Sequence, residues 1–174
     1  MKIIKKELPI FKTKIENSKR INKELLYLIN LIPKNPYDNK DSTFVSHTDY
    51  DLPKKMKREW WEYFLNIVGP YVDKITKQLD CKQCDIIDYW FQQYTPGSSH
   101  GWHNHMHSQF SNVYYVECPK NNGTEFKDFD IDCEEGDLIT FPSFLIHRSK
   151  QNKENLRKTI ISFGCDFLYT PMNK

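Results

Sequence analysis

Five of the six histidines fall in two stretches, Tyr94 to His107 and Gly136 to Ser162. The first contains Gly97 and then His103-Asn-His105; the second contains Gly136-Asp137, Pro142 and His147, followed by Arg157-Lys-Thr159. In an extended strand, residues i and i+2 point to one face, so His103 and His105 are expected to present two imidazoles to one ion. His147, at the end of an apolar run that starts at Leu138, supplies a third. Three protein ligands with neighbouring coordination positions left open describe a catalytic metal centre rather than a structural one. All three must be neutral to bind, so metal affinity is expected to fall as pH drops through about 6.5, the ordinary histidine value. His107 shares the period of His103 and His105, but it lies four residues from His103, a rise of about 13.6 Å, too far for both to reach one ion. Arg157 is a planar, permanently charged fork in an otherwise apolar strand, which suits bidentate capture of a carboxylate. Thr159 falls on the same face as Arg157, and Tyr94 is the candidate aromatic partner.

The ordered set Tyr94-x-x-Gly97-x5-His103-x-His105, then Gly136-Asp137-x3-Phe141-Pro142-Ser143-x3-His147-x9-Arg157-x-Thr159, resembles the iron(II)/2-oxoglutarate-dependent oxygenases. The likeness is strongest to their prolyl-hydroxylase-like branch and to a group of small oxygenases within it. It covers residues 92 to 165 well and the first ninety loosely. His105 stands where the commonest form of the site has Asp or Glu. The resemblance implies a double-stranded β-helix, and Fe(II) held by His103, His105 and His147. It also implies 2-oxoglutarate as co-substrate, held by Arg157, Thr159 and Tyr94. The reaction implied is hydroxylation by oxygen of a peptide side chain or a small molecule, with decarboxylation of 2-oxoglutarate to succinate. One alternative is a three-histidine cupin-type dioxygenase that does not use 2-oxoglutarate, although Gln109 and Phe110 stand where its glutamate is expected. Another is a non-enzymatic, metal-stabilised jelly-roll module.

The remaining chain must position these groups. At 174 residues and 39% hydrophobic content it is expected to form one oxygenase domain, with residues 1-80 mainly helical and 81-174 forming a jelly-roll core. Ile21, Leu25, Leu28 and Ile29 follow helical spacing after Asn17 or Ser18. Residues 54 to 79 read as a larger helical region, broken at Gly69-Pro70, whose Trp60 and Trp61 back a sheet. Ile3, Ile4 and the Leu8-Pro9-Ile10-Phe11 run predict an edge strand. Residues 33 to 53 read as a polar connection, a lid or a substrate-binding edge, with His47 solvated. After Asp80 the periodicity changes to strands over 85–94, 110–116, 124–129, 137–141 and 159–167. Helices first and strands afterwards predict α+β with antiparallel sheets.

A formal net charge of +2 gives no support for nucleic-acid or membrane partners. No run of about eighteen apolar residues is present, and lysines break up the first eleven residues, so a cytoplasmic protein is expected. The five cysteines, Cys81-x2-Cys84 included, are expected as thiols.

Overall fold

Alternation along the strands after Asp80 yields a two-faced sheet, and each face acquires its own core. The computed structural model describes residues 7–40, 42–53 and 55–169. In chain order the elements are β1 (Phe11–Lys14), α1 (Ser18–Asn30), β2 (Tyr37–Asn39), β3 (Thr43–Val45), β4 (His47–Thr48), α2 (Glu59–Gln78), β5 (Gln83–Tyr94) and β6 (His100–His103). They continue with β7 (Phe110–Glu117), β8 (Thr124–Phe126), β9 (Asp137–Pro142), β10 (His147–Ser149) and β11 (Lys158–Leu168). Six strands form one sheet in the order β1-β9-β7-β11-β5-β4; β6-β10-β8 form a second, and β2-β3 a hairpin. Every strand pairing is antiparallel. Among the described residues no helix is long and apolar enough to cross a membrane.

The two faces of the large sheet are covered differently. On one, α1 and α2 bury Ile21, Leu25, Trp60, Trp61 and Phe64 against Tyr114, Ile161 and Phe163. On the other, Val113, Tyr115 and Ile160 meet Phe126 of the small sheet. Neighbouring residues of β7 and β11 therefore belong to different cores, as a period of two requires. Phe64 packs on Tyr114 at 4.9 Å between ring centroids, and Trp61 on Phe163 at 5.6 Å, which seats α2 on the sheet.

Several expectations change here. The predicted break at Gly69-Pro70 is absent, because α2 runs through Pro70 with Val68, Val72 and Ile75 all buried on one stripe. A proline inside a helix costs about 3 kcal/mol, and burial of that continuous apolar face outweighs it. The first eighty residues also supply β1 and β4 to the edges of the large sheet, as well as the β2-β3 hairpin. Residues 33 to 53 accordingly form three short strands rather than a plain connection. His47 is buried, not solvated, with its Nδ1 3.0 Å from Gln93 Oε1. Asp49, fully buried, explains why this segment is held. It accepts hydrogen bonds from Arg58 Nε (2.7 Å), Trp60 Nε1 (3.1 Å) and the Phe91 amide (2.9 Å), tying the end of β4 to α2 and β5. Ile3 and Ile4 lie outside the described residues, while the edge strand begins at Phe11. All five cysteines are free thiols.

Candidate metal centre

His103 closes β6 and His147 opens β10, and the two stand directly opposite in the ladder between those strands. Cross-strand partners bring Cβ atoms to about 5 Å, so the pairing alone brings two imidazoles together. His105 arrives differently. It lies beyond the end of β6, so the strand period invoked for it does not apply; its amide donates instead to Ser143 O at 2.9 Å. Ser143 is itself fixed by Ser111 Oγ (2.8 Å) and Ser108 Oγ (3.1 Å). One ligand atom from each of His103, His105 and His147 lies within 4.8 Å of the others. The sharp turn before β6 needs Gly97, whose φ of 89° is costly for any residue with a Cβ.

The tautomers suit a cation. His103 Nδ1 lies 2.8 Å from Gly101 O, and His147 Nδ1 lies 2.8 Å from Leu145 O. A carbonyl only accepts, so each Nδ1 carries the proton and each Nε2 keeps its lone pair for a metal. Burial disfavours the imidazolium: it lowers His103 below its ordinary value, His105 to about 4 and His147 to about 3. His100 stacks on His103 with ring centroids 3.8 Å apart and is likewise pushed down to about 3, mainly by burial. His107 is exposed and outside the cluster. Three neutral, convergent imidazoles, two of them oriented by main-chain carbonyls, are a donor set that fits a divalent transition metal.

The three histidines line a cavity between the two sheets that also receives Tyr94, Ser149 and Lys158. Lys158 is fully buried. Its Nζ donates to Ser149 Oγ (2.9 Å) and Gly123 O (3.3 Å) and lies 5.4 Å from the Tyr94 ring centroid; no acidic group among the described residues pairs with it. Desolvation brings its pKa down to about 8. Burial raises the Tyr94 phenol well above its usual range, so it is a neutral wall and donor, here to Gln92 Oε1 at 3.0 Å.

Arg157 and Thr159 do not line this cavity. Arg157 makes a bidentate pair with Glu117 (Nε–Oε2 2.8 Å, Nη2–Oε1 3.1 Å), and Thr159 donates to the same carboxylate. The expected co-substrate residues Arg157 and Thr159 thus have Glu117 as their partner and are not brought to the histidines. The two do share a face, as predicted, but it is the helix-covered face of β11, where Ile161 and Phe163 follow. Lys158, Ile160 and Ser162 have the cavity side. Sequence reasoning missed Lys158, Ser149 and Ser143. The signal for Lys158 was present, a lysine one position from the chosen arginine in an apolar strand.

No protein-family model matches the sequence, and no curated protein matches it. Solved structures do match. A prolyl-4-hydroxylase from Pseudomonas putida superposes with a TM-score of 0.66 at 11% identity, over 94% of this chain and 94% of that one. The viral collagen prolyl hydroxylase of Paramecium Bursaria Chlorella virus-1, in its 2-oxoglutarate complex, gives 0.60 at 15% identity, over 90% and 94%. HygX from Streptomyces hygroscopicus, solved with nickel, 2-oxoglutarate and hygromycin B, gives 0.62 at 10% identity, over 91% and 82%. This chain has their fold.

Proposed function

We propose that the protein is an iron(II)- and 2-oxoglutarate-dependent dioxygenase of the hydroxylase type, acting on a peptide side chain or a small molecule. In this reading His103, His105 and His147 hold Fe(II), and the chain forms one oxygenase domain. Its two main sheets form a double-stranded β-helix, braced by α1 and α2 on the outer face of the larger one. The observation that carries the reading is a buried ammonium, with no acidic partner among the described residues, in the same cavity as three neutral, convergent imidazoles. Burying an unpaired cation is costly, and a carboxylate ligand removes that cost. Ser149, hydrogen-bonded to Lys158, lies two residues along β10 from His147. That is a strand rise of about 6.8 Å, a span suited to a dicarboxylate bound at one end by the metal and at the other by Lys158.

When bound, iron(II) would supply oxygen activation coupled to the decarboxylation of 2-oxoglutarate to succinate. The chain's own residues do the rest. Lys158 and Ser149 bind the distal carboxylate, with Tyr94 walling it on one side. The carbonyls of Gly101 and Leu145 hold the protons of His103 and His147 on Nδ1. The apolar contacts of Ile160, Val113 and Phe126 keep water from the inner end of the cavity. The same ammonium has no task in a three-histidine dioxygenase that does without 2-oxoglutarate, which disfavours that alternative.

The test is succinate release from 2-oxoglutarate with Fe(II) and oxygen, measured together with iron stoichiometry. His103→Ala, His105→Ala and His147→Ala are each expected to lose both, whereas His107→Ala keeps both. An iron-replete, active His105→Ala protein would refute the ligand assignment, and absence of succinate from the iron-loaded wild type would refute the reaction.

A further inference from the structure

A second cleft opens onto His105 from the side of the β2-β3 hairpin and adjoins the cavity that receives Lys158, sharing Trp90, Gln92, His100 and His105 with it. Its walls are Tyr37, Tyr50 and Trp90, with Thr48, Gln92, His100 and His105 completing it, and its cavity volume is about 130 Å³. The hairpin that carries Tyr37 is held in place, because Phe44 and Ser99 exchange backbone hydrogen bonds of 2.8 and 2.9 Å beside the first residue of β6. Tyr50 stands edge-on to Trp90 with ring centroids 5.3 Å apart, and Trp90 lies 5.6 Å from the His105 ring. Yet Tyr50 is 57% exposed and Tyr37 is 37% exposed. Aromatic faces are thus left open to solvent beside the metal centre, while the other aromatic residues of β4, β5 and α2 are packed away.

The chemistry of these walls restricts what fits. Among the described residues, none of those lining the cleft is Asp, Glu, Lys or Arg. Two of the polar side chains are engaged already: Thr48 Oγ1 donates to Phe91 O (2.7 Å) and accepts from the Tyr50 amide (3.1 Å). The Gln92 carboxamide meets the Tyr94 hydroxyl at 3.0 Å and the His100 ring at 3.4 Å. A sugar or other polyhydroxylated group would lose hydrogen bonds to water and regain few here. A cation would meet aromatic faces, which attract it, but no carboxylate lines either cavity, and the fixed charges of the inner one are Lys158 and Arg148. An anion would find no cation in the outer cleft to pair with. Flat aromatic walls instead favour offset or edge-to-face contact with another ring.

We propose that this cleft is the substrate subsite and that it takes an uncharged, flat ring, presented edge-on toward His105. The proposal deepens the reading of the triad as a metal centre and rests on it. The experiment uses four probes of similar size: benzyl alcohol, benzylammonium, benzoate and the saturated analogue cyclohexylmethanol. Each is titrated into 15N-labelled protein while the indole N–H resonance of Trp90, assigned with Trp90→Phe, is followed. Benzyl alcohol is expected to shift that resonance saturably and more tightly than the other three. Tyr50→Ala, at a largely exposed position, should weaken its binding roughly three- to tenfold. Equal or tighter binding of benzylammonium, benzoate or cyclohexylmethanol would overturn the proposal. So would an unmoved Trp90 resonance, or unchanged binding in Tyr50→Ala. Cobalt(II) titration by visible absorption reports the metal reading separately: a protein that binds the aromatic probe but no cobalt retains a ring-binding cleft and loses the oxygenase reading.

Discussion

Lys158 and Arg157 are adjacent in sequence and carry the same charge, yet their surroundings make opposite predictions. Lys158 is fully buried beside the histidines, whereas Arg157 is partly exposed and already paired with Glu117. Removing one member of a buried charge contact costs about 2–5 kcal/mol. Lys158→Ala is therefore expected to raise the KM for 2-oxoglutarate by roughly thirtyfold or more, while Arg157→Ala leaves it unchanged and costs stability by at most about 1 kcal/mol. Initial rates of succinate formation against 2-oxoglutarate concentration distinguish the two. The lysine also sets a pH limit. In the free protein its pKa is down at about 8, so above that pH the binding partner of an anionic ligand becomes neutral, and the KM for 2-oxoglutarate should climb as pH rises through 8. The histidines behave conversely. An ordinary histidine would make metal binding fail as pH drops through 6.5, but here burial has moved His105 to about 4 and His147 to about 3. The folded protein's affinity for cobalt(II) is thus expected to be level from pH 7.5 to 5.5. A steep decline over that interval would show that the ligands titrate as exposed imidazoles.

At the scale of elements, the site depends on how three short strands are held. β4 is only two residues long, and its position relies on Asp49, which collects Arg58, Trp60 and the Phe91 amide. Asp49→Ala would leave the buried Arg58 guanidinium without its charge partner. That change should cost about 3–5 kcal/mol, seen as a lower midpoint in urea unfolding. β6 and β10 are short as well, yet their ladder sets His103 opposite His147 without help from a long sheet. The Ser143 turn adds His105 by a main-chain bond, which explains how a ligand beyond a strand end is still fixed. Side-chain substitutions at Ser143 consequently act on the orientation of His105 through backbone placement.

For the whole molecule, the histidine cluster makes the metal-free protein acid-sensitive. The sign follows from proton counts. Below about pH 6.5 the unfolded chain binds protons at these histidines, while the folded chain resists until about pH 4 at His105 and about pH 3 at His100 and His147. Stability contributed by the neutral rings is present above 6.5 and is lost as pH falls toward the folded values, by up to about 1–2 kcal/mol per histidine at pH 5. Against a total stability of about 5–15 kcal/mol, several such terms matter. Thermal unfolding of the metal-free protein should show a Tm that falls between pH 7 and 5. Saturating cobalt(II) should raise the Tm at both ends of that interval, since it binds the folded state alone.

The large sheet was legible in the sequence. Apolar runs ending at Tyr94, Val116, Phe141 and Phe167 correspond to β5, β7, β9 and β11 within a few residues, because period-two burial on both faces leaves a strong pattern. The histidine set was legible too, through order and spacing. What could not be read was which face of β11 looks inward. A strand's period says that Arg157 shares a side with Thr159, and Lys158 with Ile160; it does not say which side a helix layer will cover and which will border the second sheet. A shift of one residue exchanges the two completely. The sequence by itself determined the long strands β5, β7, β9 and β11, the three imidazoles and the presence of a cation near Thr159. Only the packing of α2 on one face of the sheet and β6-β10-β8 on the other decided that the cation at the site is Lys158, because that packing alone assigns an inside to each alternate residue.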